Sequence, residues 1–275
     1  MKNKPLLPYL LPSLLPNLPR YPLRYPALLA CLLAGASAHA DSTMMMPDGS
    51  REMYVGLAMA ARTGVTPGDD RRTVLVLSGQ VQWSNGIFLS ANGVLGMQLS
   101  ERPGIEYGPL LQQSNERHPG DSRRLAGTRD IAGTLDGGGF YNYYLGDDLL
   151  LRSSLVYNTS AGGAMGNVGL QKALVDVAPH HTLALSLSMN LAGGQVMREL
   201  YEVRPDAAAP DRPHYRPSAG VLSVNAGLNW NWALSSHWLV NSAVTATRLG
   251  PGPANSPVTA RAGYLTWSTG LAYRF

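Results

Sequence analysis

The sequence predicts an all-β protein, an antiparallel transmembrane β-barrel of about twelve strands, with about ten as the alternative count. Three observations predict it. Apolar and less apolar residues alternate with a period of two over runs of about 10–14 residues, which exceed ordinary strands and suit a tilted crossing of a bilayer. The second face of each run is small and polar, and the chain ends on Phe275 in an alternating run.

The first forty residues are predicted to be a secretory signal peptide. They hold four basic residues and no acid, continue into an apolar run, and end on small residues at Ala38 and Ala40, so that cleavage would precede Asp41. The formal charge of +4 then belongs wholly to this segment. A neutral mature domain over residues 41–275 excludes the basic surface that nucleic acid would require. The single cysteine also lies in the segment, which excludes disulfide bonds and thiolate metal sites in the mature domain.

Eleven runs support the strand count, and a bacterial single-chain barrel needs an even number. They lie at 53–62, 73–84, 87–99, 105–115, 131–145, 149–159, 165–177, 182–193, 219–234, 238–249 and 263–275. Short connections alternate with long ones, as periplasmic turns and outer loops do, except between residues 62 and 105. The missing strand is therefore expected in that interval, which favours twelve.

The polar parity of the runs is predicted to face the lumen. It carries Gln80, Asp136 and Arg152, and we assign Arg248 to the same parity. These side chains have two interpretations: an arginine-lined lumen that favours anions, or interior ion pairs and rim residues in a narrow barrel. We favour the second, because ion pairs are enough to fill a narrow interior.

The C-terminal run has Leu271, Tyr273 and Phe275 on one face. It resembles the signal by which bacterial outer-membrane barrels are recognised for insertion. Other stretches extend the likeness. They are residues 83–90, 107–111, 134–140, 236–239, 256–258 and 270–275. Together they make the chain similar to the MipA/OmpV family of outer-membrane proteins. Two loops depart from the family pattern: residues 67–72 lack an aromatic residue, and 193–201 replace an acidic, tyrosine-rich stretch.

The resemblance implies a barrel in the outer membrane, in contact with its lipid, that acts as a scaffold in peptidoglycan remodelling. Such a scaffold would link the lytic transglycosylase MltA to a bifunctional penicillin-binding protein. A narrow porin-like channel for small solutes is the alternative that we keep open.

Catalysis is not expected, and neither is a cofactor or a bound metal. The histidines of the mature chain fall in turns and loops, where the simplest interpretation is a solvated polar side chain. An enzyme acting on lipid would need a serine or a carboxylate within hydrogen-bond distance of one of them. The relevant histidines are His118, His180, His181 and His237. Gly137–Gly139 resembles a phosphate-binding loop only superficially, since no strand-to-helix context follows, and it fits relief of crowding within a strand.

Overall fold

A computed structural model describes residues 51–63, 66–67, 69, 72–146, 148–205 and 213–275, with the side chains of these ranges except at 51–52, 62 and 175–177. The predicted signal peptide, with its cleavage residues Ala38, Ala40 and Asp41, lies outside the described residues. The described chain forms one closed antiparallel barrel of twelve strands in which neighbours in sequence are neighbours in space. The predicted fold class and the count of twelve are confirmed.

The strands are long, except for two. They are β1 (Arg51–Arg62), β2 (Arg72–Trp83), β3 (Ile87–Ser90), β4 (Val94–Met97), β5 (Ile105–Gln113), β6 (Leu135–Leu145), β7 (Leu149–Asn158), β8 (Gly163–Ala178), β9 (His181–Ala192), β10 (Gly220–Ala233), β11 (Trp238–Leu249) and β12 (Gly263–Arg274). Two α-helices, α1 (Gly194–Tyr201) and α2 (Pro251–Ala254), and two 3-10 turns, Pro119–Asp121 and Arg123–Leu125, lie in the outer connections.

The first and last strands close the barrel. β1 pairs with β12 so that Leu57 lies opposite Leu271, and the amide of Phe275 donates to the carbonyl oxygen of Met53 at 3.0 Å. Leu271 and Phe275 are exposed on the outer surface, whereas Tyr273 is partly covered by its aromatic neighbours. The C-terminal signature is thus part of the seam that removes the free edges of the sheet.

The outer surface of the barrel is apolar. Leucines along neighbouring strands point outwards and are exposed. The residues that alternate with them point into the barrel. Examples of the exposed set are Leu57, Leu77, Leu135, Leu155, Leu187, Leu228 and Leu265. An apolar band on a closed barrel suits lipid, because the strands find their hydrogen-bond partners within the sheet, with one exception on β2 described below. Among the described residues, no helix is long and apolar enough to span a bilayer.

Aromatic residues mark the end of the barrel at which β1 begins and β12 ends. His181, Trp230 and Trp232 stack in parallel, with Trp230 Nε1 donating to His181 Nδ1 at 3.1 Å. On the next two strands Trp238 and Tyr273 meet edge to face, with ring centroids 5.1 Å apart. Such a girdle lies at the interface between lipid and water. Because the short turns share this end, it is the periplasmic end, and the long connections are extracellular.

A short hairpin supplies the strand that the sequence count lacked. The run predicted at 87–99 is two four-residue strands, β3 and β4, joined by a turn in which Gly93 adopts φ +81°. Both strands end part-way up the wall, since β2 pairs with β3 only from Gln80 to Gln82. Above this turn, residues 73–78 of β2, which we call the open edge, lack a strand on that side among the described residues.

Candidate functional site: the lumen and its outer cap

Small polar side chains line about half of the inner wall. They join into ladders that cross several strands: Asn167 Nδ2 donates to Asn190 Oδ1 at 2.7 Å, and Asn190 Nδ2 donates to Ser223 Oγ at 2.9 Å. A second ladder runs from Ser188 through Asn225 to Thr247. These amides and hydroxyls mostly bond to one another, which leaves an uncharged and hydrophilic wall.

Asp136 lies at the outer end of the lumen and is buried. Its carboxylate accepts hydrogen bonds from Thr134 Oγ1 at 2.9 Å, Asn158 Nδ2 at 2.7 Å and the Thr159 amide at 2.9 Å. Three donors thus satisfy the acceptor oxygens of this buried carboxylate. Its role is therefore to hold the β7–β8 turn against β6.

Arg152 lies in the periplasmic half of the lumen with an acid that the sequence interpretation overlooked. Glu106 accepts from Asn142 Nδ2 and from the Tyr144 hydroxyl, both at 3.0 Å, and it attracts Arg152 electrostatically. Glu106 lies on the inward face of β5, and the neighbouring Tyr107 lies on the outward face. This alternation was the sequence signal that could have identified Glu106 as a residue of the lumen. The interior ion pair that we favoured over an arginine-lined lumen stays a prediction for Arg152, with Glu106 as the acid nearby.

Gln80 lies elsewhere, on β2, where its Oε1 atom accepts from the Tyr54 hydroxyl at 3.4 Å. Gln80, Asp136 and Arg152 therefore stand on different strands, each with its own neighbours, and do not form one site. Arg248, assigned above to the polar parity, is placed on the outer surface with Val244, at the extracellular end of β11. That assignment was wrong because β11 alternates too weakly to fix its faces from sequence.

Two phenylalanines meet inside the lumen. The rings of Phe88 and Phe140 contact edge to face, with centroids 5.6 Å apart. Gly96 makes room for them, since a Cβ atom there would lie 2.2 Å from the Phe88 ring. Gly138, in the triple-glycine stretch, is crowded in a similar way, since a Cβ atom would lie 2.1 Å from the Leu155 carbonyl oxygen. Both glycines thus allow close packing in the wall, and no phosphate-binding geometry is needed to explain them.

The long extracellular connections fold together into an outer cap, which we define as the described parts of 114–134, 193–219 and 250–262. Its centre is a cluster of buried apolar residues, one from each connection: Leu125, Val203 and Val258. A second cluster, around Val196 and Met197 of α1, packs α1 onto the barrel. A buried core in loops predicts a fixed arrangement, because disordered loops bury little apolar surface.

Hydrogen bonds join the three connections of the cap to one another and tie the cap to two further connections. An Arg117 guanidinium nitrogen donates to the carbonyl oxygens of Glu199 and Leu200, and Ser256 Oγ donates to the carbonyl oxygen of Tyr201 at 2.8 Å. The Glu199 carboxylate accepts from Ser160 in the β7–β8 turn. The Ala260 amide reaches Pro67 in the β1–β2 connection at 3.0 Å. Five of the six connections on the outer side are therefore joined, and the cap lies across the outer mouth. The sixth is the β3–β4 turn, which ends part-way up the wall.

The arginines of the β5–β6 connection take different positions in the cap. Arg117 points inwards to backbone carbonyls, and burial lowers the pKa of its guanidinium. Arg123 and Arg124 are exposed. Arg129 contacts Glu202, a buried acid that two further arginines also approach. Sequence reasoning missed this cluster because Arg129 comes from another connection and Arg216 lies far along the chain from Glu202.

The geometry that an enzyme would need is split between the two ends of the barrel. Ser236 Oγ lies 2.9 Å from His237 Nδ1 in an exposed periplasmic turn, where the His237 ring stacks on Tyr273. At the extracellular end, His118 Nδ1 lies 3.0 Å from an Asp130 carboxylate oxygen. A triad needs the serine, the histidine and the acid in one chain of contacts. Among the contacts of the described residues, His237 has the serine and His118 has the acid, and neither is seen with both.

The sequence matches the family described as MltA-interacting protein MipA over residues 55–275. The chain belongs to this family. The match runs from Val55, within β1, to the terminal Phe275, so the family assignment and the closed fold refer to nearly the same part of the chain. With its apolar outer band, the protein is an outer-membrane β-barrel.

Several solved barrels are similar in overall shape. The KdgM porin has a TM-score of 0.38 and 7% identity, with 82% of this chain and 99% of that chain covered. A bacterial polysaccharide outer membrane secretin has a TM-score of 0.41 and 10% identity, with 84% and 99% covered. An outer membrane channel from Pseudomonas putida F1 has a TM-score of 0.39 and 10% identity, with 86% and 99% covered. No curated protein matches the sequence.

Proposed function

We propose that this barrel is a non-enzymatic scaffold of the outer membrane that holds peptidoglycan-remodelling enzymes at the inner surface of that membrane. The observation that carries the proposal is the outer cap. Five connections joined over the mouth, with a buried core of their own, favour a closed anchor over an open pore. The family description, MltA-interacting protein, supports a lytic transglycosylase as one partner, and a bifunctional penicillin-binding protein is the second.

A partner bound to murein can reach only the periplasmic end. The exposed connections there are few and short, and the longest lies between β4 and β5, where Glu101, Arg102 and Pro103 are exposed. The turn at Ser236–His237 is also exposed. Charged and aromatic side chains on fixed turns are suitable contacts for a protein partner. We therefore place the docking surface on these two turns.

Site-specific crosslinking in intact envelopes tests the proposal. A photoreactive residue in place of Arg102 is expected to capture a lytic transglycosylase or a murein synthase. The same residue in place of Arg123 on the cap serves as the matched control, and it should capture neither, because the membrane separates it from the murein. Recovery of neither enzyme from the Arg102 position, at normal barrel levels, would count against the scaffold.

A narrow channel for small solutes is the second candidate. The observation that favours it is the hydrophilic wall of the lumen, with its ladders of Asn, Ser and Thr side chains. Solute passage would require the outer cap to move aside, whereas the scaffold needs it to stay closed. The two functions therefore differ in the electrical conductance expected of the barrel.

A further inference from the structure

Three arginines from separate stretches of the outer cap approach one carboxylate. Arg129 Nη2 lies 3.0 Å and Arg204 Nε lies 3.3 Å from Glu202 Oε2, and Arg216 Nε lies 3.8 Å from Oε1. The Glu202 side chain is only 8% exposed, but those of the arginines are 45%, 51% and 65% exposed. One face of each guanidinium thus meets a buried acid, and the other faces the extracellular medium.

The backbone beneath these side chains is fixed. Val203 and Tyr215 exchange two backbone hydrogen bonds of 2.9 Å, and the Arg204 amide donates to the carbonyl oxygen of Gly127 at 3.0 Å. The Tyr215 hydroxyl donates to the carbonyl oxygen of Gly252 at 2.6 Å. Each arginine therefore stems from a braced segment, which reduces the entropy lost when a ligand binds.

The cluster carries more positive charge than Glu202 can balance. One carboxylate stands against three guanidiniums, and each guanidinium has five N–H donors, of which Glu202 takes one from Arg129 and one from Arg204. The segment 206–212 of the same connection, outside the described residues, adds two aspartates and one arginine. Counted by sequence alone, these residues together make four arginines and three acids. Like charges gathered this closely repel one another unless an anion joins them.

We propose that Arg129, Arg204 and Arg216 form a binding site for a phosphate group at the extracellular surface. A phosphate monoester carries a charge near −2 and has three acceptor oxygens, which suits converging guanidiniums better than the single charge of a carboxylate does. Two sources share this chemistry: a sugar phosphate on an outer-leaflet lipid, and a soluble phosphate compound. The site does not depend on the scaffold function.

Binding to the purified full-length mature barrel tests the site. The probes are inorganic pyrophosphate, titrated in detergent, and nanodiscs that contain diphosphorylated or dephosphorylated lipid A. Wild-type protein is expected to bind pyrophosphate with an affinity that falls as salt rises. R129Q/R216Q is expected to lose at least about tenfold in affinity, since two charged donors are removed. A preference for diphosphorylated lipid A would identify the lipid as the source, and binding of pyrophosphate alone would identify a soluble compound.

Two variants keep the test independent of folding. R123Q removes an exposed arginine of the β5–β6 connection, which also carries Arg129. No contact between Arg123 and Glu202 is seen, so the affinity of R123Q for pyrophosphate should stay within about twofold of wild type. R216Q alone removes the most distant and most exposed of the three, so the cap should remain intact while affinity falls. The proposal is overturned if wild type binds neither probe, or if R123Q loses as much affinity as R216Q.

Discussion

His118 is held by two acids at the base of the connection between β5 and β6. Its Nδ1 atom lies 3.0 Å from Asp130, and its backbone amide donates to Asp121 at 2.8 Å. The hydrogen bond with Asp130 raises the pKa of His118 above its ordinary value of 6.5, with added attraction from Asp130, Asp121 and Glu116. A base whose pKa is raised on folding stabilises the folded state below its unfolded pKa, and this stabilisation is lost as pH rises through the folded pKa.

This connection should therefore be held more firmly in mild acid than in mild base. Amide hydrogen exchange in residues 117–131, corrected for the intrinsic pH dependence, is expected to be slower at about pH 6 than at about pH 8. H118Q should remove most of that difference, and H237Q, at the other end of the barrel, should leave it. An equal pH dependence in wild type and H118Q would show that the Asp130 contact has no such role.

Among the elements, β2 is the one whose two edges differ. Its even residues bond to β1, whereas the Gly79 carbonyl oxygen accepts from Ala91 in the β3–β4 turn at 2.8 Å. Along an antiparallel strand, the N–H and C=O groups of alternate residues point to opposite neighbours. The N–H and C=O groups of Thr73, Leu75 and Leu77 therefore point to the side above the short hairpin, where the described residues offer no strand partner. Their side chains are also unusually open, with Leu75 68% and Leu77 58% exposed.

Amide exchange along β2 should alternate as a result. The amides of Thr73, Leu75 and Leu77 are expected to exchange at least about tenfold faster than those of Val74 and Val76, which bond to β1. Residue-resolved exchange by NMR in detergent micelles measures this, and β11, which has a partner strand on each side, is the internal reference. Uniform protection along β2 would mean that another segment pairs with the open edge.

For the whole molecule, the sequence predicted the periodic parts and missed what depends on contacts between loops. The runs at 238–249 and 263–275 match the bounds of β11 and β12 closely. In β12 the faces were also predictable, because alternation there follows directly from one face in lipid and one in the lumen. The β3–β4 turn was overlooked although Asn92-Gly93 is a strong hairpin signal, since the alternation continues through it. The Glu202 cluster had no such local signal, because its arginines meet only once the cap has folded.

Conductance separates the two functions proposed for the whole barrel. Wild-type protein in planar bilayers is expected to show no stable conductance steps, because the cap covers the mouth and Phe88 and Phe140 meet in the lumen. R117A/S256A removes hydrogen bonds that join the other two connections of the cap to α1 and leaves the strands unchanged. This variant should show brief openings, because a loosened cap exposes the hydrophilic wall beneath it. S235A/S236A, in a periplasmic turn, is the matched control and should remain silent. Stable steps in wild type would contradict the closed scaffold and favour the channel.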